Sequence, residues 1–167
     1  MRTLVISDLH IGAGHGRDAL TDQPIVDALA AAIATADRLV LLGDIIELRQ
    51  GPLQDALAAA SRVLPQLVAG LGEGSEVLMV FGNHDHQLQL HDEALSQIEW
   101  MLSQTGARVR FDYPGVWLRE DVYAQHGHYL DRHTTTPAFE RVAAGLMARF
   151  LKLPYEEMAE TNDYERL

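Results

Sequence analysis

The chain contains no cysteine. That absence excludes disulfides, zinc–thiolate sites and thiol nucleophiles together. Positive charge is also scarce: 13 Lys and Arg stand against 24 Asp and Glu, for a formal net charge of −11. Gripping nucleic acid requires a basic stripe that displaces counterions from phosphates. None is visible, so no nucleic-acid partner is expected. The acidic excess suits divalent cations instead. No apolar run approaches the roughly 18 residues of a membrane span. The opening MRTLVISDLH enters a strand pattern at once and turns polar by residue 7. It lacks the apolar core and small-residue cleavage site of a signal peptide, so the expected location is cytoplasmic.

The 167 residues are 47% hydrophobic and 22% charged, the composition of a soluble globular protein, and their number fits one domain over 1–167. Three short apolar runs stand out: TLVI (3–6), RLVLL (38–42) and EVLMVF (76–81). They are apolar on both faces and stop abruptly, as strands covered on two sides do. Helical patterns separate them. In 22–36, Ile25, Leu29 and Ile33 recur every four residues, with Pro24 in the first turn. In 52–71 a leucine stripe runs past Pro65, which should kink it, to GEG at 72–74. A third helix is expected from an Asp92 cap through Ile98 and Leu102 to Gly106. Short strands follow at 107–111, 115–119 and 121–126, and a helix at 136–153 with Phe139, Val142, Leu146 and Phe150 on one face. Strands alternating with helices define an α/β fold with a parallel sheet.

The chemistry sits where the strands stop. Asp8 and His10 follow the first run, Gly43–Asp44 the second, GNHD (82–85) the third, and HGH (126–128) the last short strand. Asp8 and His10 are two apart, so extended backbone would point both the same way. Open α/β sheets collect their sites at the carboxyl ends of strands. Taken singly, each stretch reads as a cap or a turn. Together they supply carboxylate, amide and imidazole ligands without thiolate, a set that suits Mn, Fe or Zn. A single aspartate between two histidine-bearing groups invites a bridged pair of ions.

The order D-x-H, G-D, G-N-H-D, H-G-H resembles the calcineurin-like metallophosphoesterases, over residues 3 to about 128. The resemblance implies a layered α/β/β/α sandwich and two divalent ions, Mn²⁺ first, with Fe or Zn as alternatives. It implies that Asp8 and His10 hold one ion, Asn83 and His126 the other, and that Asp44 bridges them. His84 would protonate or stabilise the leaving oxygen, with Asp85 orienting it, while a metal-bound hydroxide attacks phosphorus in line. His128 would support the site from just outside the ligands. The other histidines (His15, His86, His91, His133) are expected to be bystanders. GDIIEL also resembles the G-D-x-x-E/D stretch of the subgroup that cleaves UDP-diacylglucosamine. That subgroup usually has arginine in place of His84 and aspartate in place of His128, so a more general phosphoesterase is expected.

The family closes with a G-H-x-H motif, and no such pair follows His126. The expectation is therefore a chain truncated at its carboxyl end, with 136–167 a helical lid or the truncated end. Two functions follow. One is a metal-dependent hydrolase of a phosphorylated small molecule, a phosphomonoester or phosphodiester. The other is a metal-binding but catalytically impaired domain that binds a phosphorylated ligand or partner. A homodimer through the apolar face of 136–153 is a further expectation.

Overall fold

The apolar runs are strands, and they lie side by side. In the computed structural model, which describes residues 1–14 and 18–127, β1 (Thr3–Ile6), β2 (Arg38–Leu42), β3 (Glu76–Val80) and β4 (Arg108–Asp112) form one sheet in the order β1-β2-β3-β4. All three pairings are parallel, with Ile6 opposite Leu41, Leu41 opposite Met79 and Met79 opposite Phe111. Parallel neighbours need crossover connections. These are α1 (Gln23–Ile33), α2 (Leu53–Val68) and α3 (Asp92–Leu102). One consequence fixes the site: every strand ends at the same edge of the sheet.

Alternation along the strands assigns the two faces. Leu39, Leu41, Val77 and Met79 pack with residues of all three helices, among them Ile33, Leu64 and Ile98. The opposite face, with Val40, Leu78 and Val80, packs on a hairpin formed by β5 (Gly115–Arg119) and β6 (Val122–Gln125) through Val116, Leu118 and Ala124. Helices, sheet and second sheet are thus three layers of the expected α/β/β/α sandwich. Residues Met1–His126 make one compact unit. The expected 136–153 helix, His128 and His133 lie outside the described residues.

Several expectations shift in detail. The helical stripe of α1 buries Val26 and Ile33, whereas Ile25 is 43% exposed. α2 continues through Pro65 and stops at Val68, so the buried Leu71 and the GEG stretch lie beyond it. Asp92 is not the cap of α3 but its first residue. His91 takes the cap position without a side-chain hydrogen bond, and Asp92 and Glu93 instead supply acid to the first turn, where the helix dipole favours it.

Candidate metal centre

Beyond β1 and β2 the two loops stay laced together. The amides of Asp8, His10 and Ile11 donate to the carbonyls of Gly43, Asp44 and Ile45 at 3.0, 2.9 and 2.9 Å, and the amide of Glu47 donates back to Ile11 at 3.0 Å. The parallel ladder is in effect prolonged past the strand ends. Asp8 and His10 are not extended, as the sequence suggested. Asp8, His10 and Asp44 have φ of 56°, 45° and 54°, all left-handed. Such backbone costs about 1–3 kcal/mol per non-glycine residue and persists only where the surroundings impose it. Here the shared ladder imposes it, and three candidate ligands carry the strain.

The third loop joins through Asp44 and Asp85. The amide of His84 donates to Asp44 Oδ1 at 2.8 Å. The carboxylate of Asp85, fully buried, accepts from the amides of Gly82 (2.7 Å), Ile45 (2.7 Å) and Ile46 (3.4 Å). Asp85 therefore ties the GNHD turn to the second loop and does not orient His84. Burial pushes its carboxyl up to about 6; the donated amide bonds oppose the shift and the neighbouring charge of Asp44 adds to it.

Orientation of the imidazoles falls to Glu47, a residue given no role in the sequence reading. Its side chain is 1% exposed. His84 Nδ1–H donates to its two oxygens at 2.8 and 3.0 Å, and His10 Nδ1–H donates to Oε2 at 3.1 Å. Burial raises the Glu47 carboxyl, but the hydrogen bonds from His84, Arg49 and His10 outweigh it and hold the group below its usual range. With Nδ1 committed to Glu47, Nε2 is the ring atom that each imidazole turns away from it.

Asp44 is the hub. Its Oδ2 lies 3.2 Å from His126 Nε2 and 3.9 Å from His10 Nε2, while His10 Nε2 is 4.0 Å from Asp8 Oδ1. His126 Nδ1–H donates to the Leu42 carbonyl at 3.0 Å, so its Nε2 also faces inward. Burial disfavours charge on Asp44, yet the bonds from His126 and the His84 amide dominate and lower its carboxyl. Burial likewise opposes charge on His126, but Asp44, the Leu42 carbonyl and the charge of Asp8 raise its imidazole to about 9.

Two clusters result, each with ligand atoms within 4.8 Å of one another: Asp8, Asp44, His126 and His10, Asp44, His84. They share Asp44. The sequence reading grouped Asp8 with His10, and the structure keeps those two in contact range while also placing His84 beside His10. Asn83 stands in the same turn, half-buried, and its carbonyl accepts from His86 Nδ1 at 3.3 Å. Two glycines make the close approach feasible. A Cβ on Gly43 would strike the His126 ring, and one on Gly82 would strike the Asp44 carboxylate.

The family model of the calcineurin-like phosphoesterases matches residues 1–157, and the chain belongs to that family of metal-dependent ester hydrolases. Among solved structures it is similar to a nuclease MPE of Pseudomonas putida, at 21% identity and a TM-score of 0.38. That alignment covers 72% of this chain and 51% of the nuclease, so the chain spans about half the length of that protein. No curated protein sequence matches it. No helix among the described residues is long and apolar enough to cross a membrane.

The donor set fits divalent cations. Carboxylate oxygens and imidazole nitrogens, the latter of the borderline class, converge in two overlapping clusters. Among the described residues the ion pairs of Asp44 and Glu47 are all with histidines.

Proposed function

We propose that the chain hydrolyses a phosphomonoester or phosphodiester of a small molecule, with two divalent ions, Mn²⁺ foremost, held at the strand tips. The observation that carries this reading is the single carboxylate of Asp44 shared by both ligand clusters. Asp8, His10, Asp44, Asn83 and His126 would hold the ions. When bound, the ions would polarise the phosphoryl oxygens, lower the pKa of the attacking water and offset charge on the leaving oxygen.

The protein's own contribution is preorganisation. Glu47 holds both imidazoles by Nδ1, so the two rings are oriented before any cation arrives. Asp85 pins the GNHD turn to the second loop through three amides. The left-handed backbone at Asp8, His10 and Asp44 sets the ligand directions in advance.

Release of p-nitrophenolate from p-nitrophenyl phosphate and bis-p-nitrophenyl phosphate, with added Mn²⁺, tests the reading. Turnover that disappears in Asp44→Asn supports it, and the ratio of the two rates separates monoesterase from diesterase. Full metal occupancy without turnover on either ester would favour the alternative, a metal-binding domain that holds a phosphorylated ligand.

A further inference from the structure

A cavity of about 360 Å³ lies between the beginning of α2 and the beginning of α3, at the lower end of the volumes that small-molecule pockets have. None of its lining residues belongs to either candidate metal cluster, and Glu47 and Asp85 are not among them. Chain connectivity nonetheless ties it to that centre. Leu53, the first residue of α2, is six residues after Glu47, and Leu90 is six after His84. The stretch His86–Leu90 is a 3-10 turn, which rises about 2 Å per residue, so the Cα atoms of His84 and Leu90 are at most about 16 Å apart. The other connection is pinned to the centre: the Leu48 amide donates to the His84 carbonyl at 3.2 Å, and Gln50 Nε2 donates to Glu47 at 3.4 Å.

The lining decides what the cavity can hold. Leu53, Leu57 and Ala94 give it an apolar wall, and Leu90 lines it while 56% exposed. The rest is polar. Gln54 and Gln97 bring carboxamides that both donate and accept hydrogen bonds, and His91, Asp92 and Glu93 complete the rim. Among the described residues no lysine or arginine lines it. A phosphate placed here would face two carboxylates and no basic side chain but His91, and like charges repel at close range. An apolar body that carries a cationic N–H donor meets the opposite conditions: leucines for the body, carboxylates and carboxamides for the donor.

We propose that this cavity takes the organic part of the ester, an amine-bearing group on an apolar body, while the phosphoryl group lies at the strand tips. The proposal rests on the phosphoester reading above and adds the class of alcohol that the substrate carries.

The first test needs neither metal nor turnover. The probes are para-(aminobutyl)phenol and para-(carboxybutyl)phenol, which carry opposite charges on the same butyl chain. Each is titrated into the metal-free chain while the methyl signals of Leu53, Leu57, Leu90 and Ala94 are followed by nuclear magnetic resonance. The ammonium probe should shift them and bind roughly threefold or more tightly than the carboxylate, the scale of partly exposed charge pairs. That preference should vanish in Asp92→Asn/Glu93→Gln and reverse in Leu90→Lys, all at exposed positions. Methyl signals that stay still, or equal affinity for the two probes, would overturn the proposal. The second test compares kcat/KM for the phosphate monoesters of the same two phenols on the Mn²⁺-loaded chain. The ammonium ester should be favoured, and the same variants should erase the preference with Mn²⁺ affinity unchanged. A preference that is absent, or that survives in those variants, would overturn the assignment to the substrate. A chain that binds the ammonium probe in the cavity and cleaves neither ester would overturn the phosphoesterase reading, and the substrate assignment with it.

Discussion

Glu47 and Asp85 are buried acids with different work. Glu47 holds two imidazole N–H groups, and Gln in its place keeps the shape but offers one oxygen and turns an NH₂ toward the second ring. Glu47→Gln is therefore expected to weaken Mn²⁺ binding about 10–100-fold while leaving the fold intact, measured by calorimetry alongside circular dichroism. Affinity at the wild-type level would mean that the rings are positioned by something else. Asp85→Ala strips the acceptor from the amides of Gly82, Ile45 and Ile46. Each buried donor left unmet costs about 1–3 kcal/mol, so a loss of at least roughly 3 kcal/mol is expected in urea unfolding. The positions of Asp8, Asp44, His84 and His126 were legible because each follows an apolar run that ends abruptly. The role of Glu47 was not, since no strand ends there, although GDIIEL marked its position. Its signal was an acid directly after Ile45 and Ile46, both fully buried, and a charge carried into such a stretch needs partners. The partner of Asp85 was misread for another reason: neighbours in a tight turn point apart, so adjacency to His84 carried no contact.

Strands and helices were easier to read than side-chain partners. The runs at 3–6 and 38–42 became strands with those bounds, and the third closed one residue early, at Val80. Helix ends drifted by several residues because periodicity continues past the last helical hydrogen bond, as Leu71 shows. The hairpin of β5 and β6 was legible as strands, but its place on the far face of the sheet was not, since a sequence does not say which face a later strand covers. Two substitutions probe how the elements carry the site. Gly82→Ala drives a Cβ into Asp44, and Gly43→Ala drives one into His126 at a φ of 81°. Both should lower thermal stability and Mn²⁺ affinity together. Gly51→Ala, which meets open space, should change neither. Within α2, Leu64 is fully buried, so Leu64→Ala should cost about 2–5 kcal/mol. Trp100→Ala, on a side chain 63% exposed, should stay within about 0.5 kcal/mol.

The molecule as a whole carries a net charge of −11, and part of that excess is concentrated where Asp8, Asp44, Glu47 and Asp85 approach one another. Cations that bind the folded chain and not the unfolded one stabilise it by mass action. Mn²⁺ at a hundred times its dissociation constant should add about 2.7 kcal/mol, a rise in Tm of roughly 5–10 °C for a chain of this size. A chelator should reverse the rise and Asp44→Asn should abolish it. A melting curve indifferent to Mn²⁺ in the wild type would contradict the two-ion reading. Because the amides of Asp8, His10 and Ile11 are tied to the second loop, neither loop can lengthen or breathe alone. An inserted residue between Ile6 and Ile11 would throw every rung out of step and scatter the candidate ligands of both clusters at once. Room for insertion is left at the margins, such as the exposed Gln50–Pro52 stretch, around a centre whose spacing is frozen.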